Sequence, residues 1–341
     1  MKNYKWPLMS NNILPNDKKV LVNFINRSNK FTNGPKVKEF EKKWSKWLGV
    51  KYSTFVNSGA SANLISTHIL KELNNKKKKE IIVPAFTWSS DVVSIINAGF
   101  KPVFVDINFE NLALNEELVK KKITKNTLAI FLTHAMGYNG LSKKFLNLIK
   151  NKKIYLIEDV CESHGAKFGT KKVGTFGLMS NFSFYYGHHM TTIEGGIIST
   201  NSKEVDRLAK MKRGHGLLRD SQDKFFIKKI VKKKKDLNND FIFNTEGFNF
   251  RNTEIAAVIG IEQLKRLNKS IKKRNDNHRL YLKHLRDDIF FKNFNLKGSS
   301  NYGLHLILKK PNINHFKQVL KILDKNSIEY RLGSLGNQLR Q

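Results

Sequence analysis

Cysteine is nearly absent from this chain: Cys161 stands alone among 341 residues. A single thiol forms no internal disulfide, builds no Cys-rich structural zinc site and cannot ligate an iron–sulfur cluster that needs several cysteines of one chain. Long apolar runs are missing too. Nowhere do about 18 consecutive apolar residues occur, so no segment reads as a membrane span. Residues 1–20 mix Trp6, Pro7 and Pro15 with Asn and Lys and lack the apolar stretch of a signal peptide. The cytoplasm is the expected location. Acidic residues are the third shortage, with 28 Asp+Glu against 62 Lys+Arg and a formal charge of +34.

Such a charge invites a nucleic-acid reading, since clustered lysines neutralise phosphates. The excess is dispersed, however. Only 76–79 and 228–235 are dense basic runs, and neither is interleaved with aromatic residues as a stacking platform would be. Solvated loops and helix ends explain them, and no nucleic-acid partner is expected, although anionic ligands must be attracted.

The length allows two domains, or one large α/β domain with an appendage. Residues 52–57, 81–84, 102–106, 128–133, 154–159 and 181–185 are apolar, β-branched or aromatic and bounded by turn residues, which predicts buried strands. Helical periods lie between them, as in 61–73, where Leu64, Ile65, His68, Ile69 and Leu73 share a face. This alternation predicts a mostly parallel sheet covered by helices on both sides, with chemistry at the carboxyl ends of its strands. A Lys-rich excursion occupies 220–240. After it, a helix is expected at 253–267, a strand at 302–308 and a helix at 315–324. These divide the chain into a large α/β domain, 1–245, and a smaller α+β domain, 246–341.

Four segments at strand ends carry candidate chemistry. Asn57-Ser58-Gly59-Ala60-Ser61-Ala62-Asn63 joins a strand to a helix, where small residues let backbone N–H groups approach a phosphate, although the same residues cap ordinary helices. Pro84-Ala85-Phe86-Thr87-Trp88 ends the next strand, and Trp88 could stack on a planar ring or fill the core. Leu156-Ile157-Glu158-Asp159-Val160-Cys161-Glu162 runs an apolar strand into carboxylates, which are costly there unless partnered, so Asp159 is poised to pair with a protonated heterocycle or a base. Cys161, with no basic neighbour in sequence, reads as a packed small residue. The fourth segment runs from Asn181 to Gly196 and holds adjacent His188 and His189. Neighbours on a loop are expected to point apart, a poor arrangement for a metal but compatible with one of them as a general acid or base. No metal site is expected.

Together and in this order, these segments resemble the DegT/DnrJ/EryC1/StrS family of pyridoxal-phosphate sugar aminotransferases, of fold type I. The resemblance runs from Gly34-Pro35-Lys36-Val37-Lys38-Glu39-Phe40-Glu41 to Glu329-Tyr330-Arg331 and includes Gly247-Phe248-Asn249-Phe250-Arg251, where the family shows a similar Gly-Tyr-Asn-Tyr-Arg. The resemblance implies that Gly59, Ala60 and Ser183 hold the cofactor phosphate, that Trp88 stacks on the pyridine ring, and that Asp159 bonds its nitrogen. It places Glu162 near the ring hydroxyl, where many relatives have Gln. Asn249 would reach the phosphate of a neighbouring subunit, because family active sites lie at a dimer interface. His215, in Arg213-Gly214-His215-Gly216, and Arg331 would face substrate. Relatives generally continue further, so the small domain is expected to be incomplete.

One departure stands out. The family's loop carries Lys-Asn where this chain has His188-His189, and no lysine lies between Phe182 and Gly196. Imidazole forms no stable imine, so the cofactor cannot be tethered there, and pyridoxamine phosphate is the expected resting form. This replacement resembles the 3-dehydratases of dideoxysugar biosynthesis, which act on a GDP-linked 4-keto-6-deoxymannose, as in the colitose branch of lipopolysaccharide biosynthesis. In that reading His188 is the catalytic base, water is lost from C3, and glutamate restores the amine form of the cofactor. A related radical dehydrase of CDP-linked sugars needs several cysteines, which Cys161 alone does not supply. The alternatives are a sugar aminotransferase with an unusual base and a silent cofactor-binding member of the family.

Overall fold

Residues 4–9, 11–333 and 335–340 are described by the computed structural model of the chain. Seven strands make one sheet: β1 (Tyr52–Val56), β2 (Glu80–Pro84), β3 (Lys101–Val105), β4 (Thr127–Thr133), β5 (Tyr155–Asp159), β8 (Met179–Ser183) and β9 (Gly196–Thr200). A separate hairpin pairs β6 (Lys167–Phe168) with β7 (Lys171–Lys172). The helices are α1 (Pro15–Arg27), α2 (Pro35–Leu48), α3 (Gly59–Leu73), α4 (Ser89–Asn97), α5 (Glu116–Lys122), α6 (Lys143–Lys152), α7 (Lys203–Arg213), α8 (Lys224–Val231), α9 (Glu254–His284) and α10 (Ile313–Lys325).

The strand order is β1-β9-β8-β5-β4-β2-β3. β9 runs against both neighbours, and the other six strands share one direction. A sheet covered on both faces needs apolar residues on both, and β4 buries every residue of Thr127–Thr133. The alternation of side chains then sorts them. Ile82, Ile130 and Leu132 join Phe40 and Trp44 of α2 and Leu267 of α9 in one core cluster. Ile81, Val83, Ala129 and Phe131 join Ile65 of α3, Ile95 of α4 and Leu208 of α7 in the other.

The six expected strands are all present, each within two residues of its expected bounds. Helix α3 starts at Gly59 because Ser58 caps it, its Oγ accepting the Ser61 N–H at 3.0 Å. Its buried face is set by Ala62, Ile65, Ile69 and Leu70, while Leu64, His68 and Leu73 of the expected stripe are only half-buried. Thr253 caps α9 as expected, but the helix continues 17 residues past Leu267 to His284. Its apolar period fades in that stretch while good helix formers persist, which sustains the helix and hides it from a periodicity argument.

Residues 302–308 do not form the expected strand. Leu308 makes one isolated bridge with Phe290, and no neighbouring strand is available to build a ladder. Tyr302 and Ile307 pack instead on a third cluster around Tyr138 and Leu282, while Leu304 and Leu306 are exposed. Among the described residues beyond 246 there is no strand, so the anticipated α+β character there is not observed. The helix expected at 315–324 is α10, capped by Asn312. No helix among the described residues is long and apolar enough to cross a membrane.

Candidate active site

The carboxyl ends of β1, β2, β4, β5 and β8 converge, and buried polar side chains gather there. The floor is a close approach of two elements. A Cβ on Gly59 would lie 2.7 Å from Ser183 Cβ and 3.2 Å from Cys161 Sγ, so only glycine lets the start of α3 rest on the end of β8. Gly196 does the same for the turn before it, since a Cβ there would sit 2.2 Å from the Ser58 carbonyl oxygen. The N–H groups of Gly59 and Ala60 lie in the first turn of α3, where intrahelical acceptors are lacking and the helix end is positive. The Ser183 hydroxyl lies beside them and accepts the Tyr185 N–H at 3.3 Å. Such an arrangement of N–H groups and a hydroxyl at a helix N-terminus can receive a phosphate.

Asp159 ends β5 and is 4% exposed. Its Oδ1 accepts the Cys161 N–H at 2.8 Å and its Oδ2 the Asn63 amide at 3.0 Å. Trp88, the residue before α4, is 49% exposed, in contrast to the wholly buried Thr87. Burial is the main reason that the Glu162 carboxyl is pushed up to about 7, with the Asp159 charge adding to it and the Met136 N–H, 2.8 Å away, opposing it. Burial also pushes the Cys161 thiol up, so it stays protonated and unreactive.

His188 is 8% exposed, and its Nδ1 is buried with no hydrogen-bond partner. Burial drives its pKa down to about 4, with the Arg274 cation acting in the same direction and Asp159 against both. The ring is therefore neutral at physiological pH, with a lone pair to accept a proton. His189 does not point apart from it. Both rings lie against His164, with centroids 5.9 and 5.2 Å away, and against Tyr302, at 5.3 and 6.2 Å. They differ at one nitrogen, since His189 Nε2 is engaged by the Ser300 carbonyl at 3.0 Å, while its Nδ1, like that of His188, is buried without a partner. Arg274 of α9 pins this corner, donating to the Tyr302 carbonyl at 2.7 Å and to the His188 carbonyl at 3.4 Å. The Arg331 charge reaches Tyr302, which places Arg331 on the same side.

His215 and Asn249 are brought to each other rather than to His188. Arg251 donates from Nε to Asn249 Oδ1 at 3.1 Å, and its Nη2 lies 3.0 Å from His215 Nε2; all three residues are exposed. The segment is tied to the end of β1 by Asn57 N–H to the Phe250 carbonyl, 3.0 Å, and by Asn252 Nδ2 to the Val56 carbonyl, 3.0 Å.

Sequence reasoning missed Asp91 and Arg274 here, and it included Asn63 in the first segment without giving it a role. A polar Asn63 within the buried face of an apolar helix was a usable signal. Asp91 looks like any acid in a first helical turn, and Arg274 sits among many basic residues with nothing to single it out.

The donor set suits a phosphopyridoxyl group. It offers an N–H and hydroxyl cradle, a buried carboxylate for a protonated ring nitrogen, a half-exposed indole, and an imidazole with a buried, unpartnered nitrogen. Among known proteins, the chain is similar to the GDP-4-keto-6-deoxy-D-mannose 3-dehydratase of Escherichia coli O55:H7, 36% identical over 317 residues that cover 92% of this chain and 81% of the relative. The same-named protein of Yersinia pseudotuberculosis is 33% identical over 318 residues, covering 92% and 80%. A solved structure of the E. coli 3-dehydratase with bound hydrated pyridoxal phosphate superposes with a TM-score of 0.88 at 32% identity, covering 99% of this chain and 88% of that one. A solved structure of a GDP-4-keto-6-deoxymannose 3-dehydratase with a trapped pyridoxal phosphate–glutamate geminal diamine gives 0.87 at 32% identity, covering 98% and 88%. Residues 13–333 match the description of one family throughout. The chain belongs to the DegT/DnrJ/EryC1/StrS aminotransferase family.

Proposed function

We propose that this protein is a pyridoxal/pyridoxamine-phosphate-dependent lyase, a 3-dehydratase that removes the C3 hydroxyl of a GDP-linked 4-keto-6-deoxyhexose in dideoxysugar biosynthesis. The observation that carries this reading is the imidazole of His188 in a loop that holds no lysine from Phe182 to Gly196. The buried lysine of the described residues, Lys212, is engaged elsewhere, by Glu72 at 2.5 Å and Thr245 at 2.9 Å. No imine-forming amine is thus at hand for an ordinary transaminase cycle. Bound pyridoxamine phosphate supplies the amine that meets the C4 ketone and the protonated ring that accepts electrons from the neighbouring bond.

The chain's residues have assigned roles. Gly59, Ala60 and Ser183 bind the phosphate, Trp88 covers the ring, and Asp159 holds the proton on its nitrogen. Glu162 lies toward the ring hydroxyl and, with a pKa near neutrality, can give or take a proton there. His188 is the catalytic base, accepting a proton at its unpartnered ring nitrogen; a positioned base contributes ~100- to 10,000-fold in rate. Burial against His164 and Tyr302 fixes the ring and excludes water from it. Arg331 and His215 face the nucleotide sugar, Asn249 serves the cofactor phosphate of a second subunit in a homodimer, and glutamate returns the amine form. The enzyme works in the cytoplasm, where its nucleotide-linked substrate is made.

Purified protein incubated with pyridoxamine phosphate and GDP-4-keto-6-deoxymannose should yield ammonia and a 3-deoxy-4-keto product by mass spectrometry. A 4-amino sugar would instead identify an aminotransferase. His188→Lys should bind the cofactor through nitrogen, visible in its absorption spectrum, and lose most dehydration; full dehydratase turnover in that variant would overturn the role given to His188.

A further inference from the structure

The strand ends hold one acidic group for which the proposed chemistry has no use. Asp91, the third residue of α4, is wholly buried. Its Oδ2 accepts the Thr133 hydroxyl at 2.8 Å and the Thr87 hydroxyl, and its Oδ1 accepts Asn63 Nδ2 at 2.7 Å. The same Asn63 nitrogen donates to Asp159 Oδ2 at 3.0 Å, so two carboxyl groups close on one amide. The Asn63 Oδ1 on the other side is buried without a partner.

Little else in that pocket carries charge. The titratable groups facing Asp91 are Asp159 from β5 and the protonated Cys161 from the turn after it. Asn63 and Ser90, from α3 and α4, and Thr87 and Thr133 are neutral. Asp159 in turn faces His188, itself neutral, and Glu162. No lysine or arginine forms an ion pair with either aspartate among the described residues. Two carboxylates this close in a dry site free of cations cannot both be ionised. The positive end of α4 and the two threonine hydroxyls favour a charged Asp91, but burial and the adjacent Asp159 outweigh them and push the Asp91 carboxyl well above its ordinary range.

We infer that Asp91 is a positioning residue for Asp159: the pair shares one proton, Asp91 keeps it, and a single negative charge on Asp159 meets the ring nitrogen of the cofactor. This rests on the reading of Asp159 as the ring-nitrogen partner. Neutral Asp91 anchors the amide of Asn63, which in turn holds the Asp159 carboxylate by its Oδ2. A second charge is thereby kept from a site that already receives a phosphate. Asparagine could replace a neutral Asp91, because its amide donates where the acid does and does not titrate; alanine could not, since Thr87, Thr133 and Asn63 would be left facing a void.

Two measurements on Asp91→Asn and Asp91→Ala test this. In the cofactor-free protein, a carboxyl protonated when folded but ionised when unfolded adds stability that is full at acid pH and is lost as pH rises past the ordinary carboxylate range of about 4. The melting temperature of the parent protein should therefore fall by a few degrees relative to Asp91→Asn between pH 4 and 8, the comparison cancelling the other buried groups. Parallel curves would overturn the shared proton. In fluorescence titrations with pyridoxal phosphate at pH 7.5, Asp91→Asn should stay within about threefold of the parent while Asp91→Ala binds at least about tenfold more weakly. Equal losses in both variants would overturn the positioning role. Should the parent itself fail to bind pyridoxal phosphate, the ring-nitrogen reading of Asp159 fails, while the melting curves still decide the proton. If Asp91→Ala does not fold, the two results for Asp91→Asn remain decisive.

Discussion

The functional residues of this protein fall into two groups with opposite physics. Asp159, Asn63, Asp91 and His188 are buried, and side-chain hydrogen bonds join the first three. His215, Asn249 and Arg251 are exposed; their side chains bond to one another, and their backbone is tied to Gly214, Phe248 and the end of β1. The second group lies at the surface, apart from His188, with the Asp220 carboxylate facing Arg251 and His215. The contrast teaches that burial does different work in each: it tunes proton affinity in the first, whereas in the second the guanidinium and amide stay in water.

Changes at three positions would break or sharpen this contrast. The largest effect is expected at Asp159→Leu, which removes the buried carboxylate opposite a protonated ring. A loss of about 3 kcal/mol or more, over a hundredfold in cofactor affinity by equilibrium dialysis, is expected; a loss below about tenfold would show that the buried group does not recognise the ring nitrogen. Arg274→Met should come next. Arg274 is one cause of the lowered His188 pKa, so its removal should move the acid limb of the rate profile to higher pH and reduce kcat, since protonated His188 cannot act as a base. An unmoved acid limb would mean that burial alone sets the ring's proton affinity. The smallest effect is expected at Arg251→Ala. An exposed arginine contributes within about 0.5 kcal/mol to stability, so the melting temperature should hold while cofactor affinity falls several-fold. An unchanged affinity would leave the exposed group without the role assigned to it.

The sheet was legible because strands buried on both faces are written as uninterrupted apolar runs, and Leu128 to Thr133 could hardly be anything else. The cradle was legible as a strand–glycine–helix junction, and Asp159 as a carboxylate closing an apolar strand. What escaped depends on partners distant in sequence. Asp91 is unusual only because Asp159, 68 positions later, is folded against it, and Arg274 matters only because α9 delivers it to His188. Residues 302–308 mislead in the opposite sense, since their composition suits a strand but no ladder is offered to them.

The reversed direction of β9 has a consequence for the loop that carries His188. Because β8 ascends and β9 descends beside it, the segment from Phe184 to Gly195 starts and finishes at the same rim, with Phe184 N–H bonded to the Gly195 carbonyl at 2.8 Å and Thr192 N–H to the Phe184 carbonyl at 3.0 Å. Its two feet are clamped together by main-chain bonds that no side chain at 188 takes part in. His188 is thus mounted on a stirrup whose feet are held by the main chain, so a substitution at 188 leaves those bonds in place.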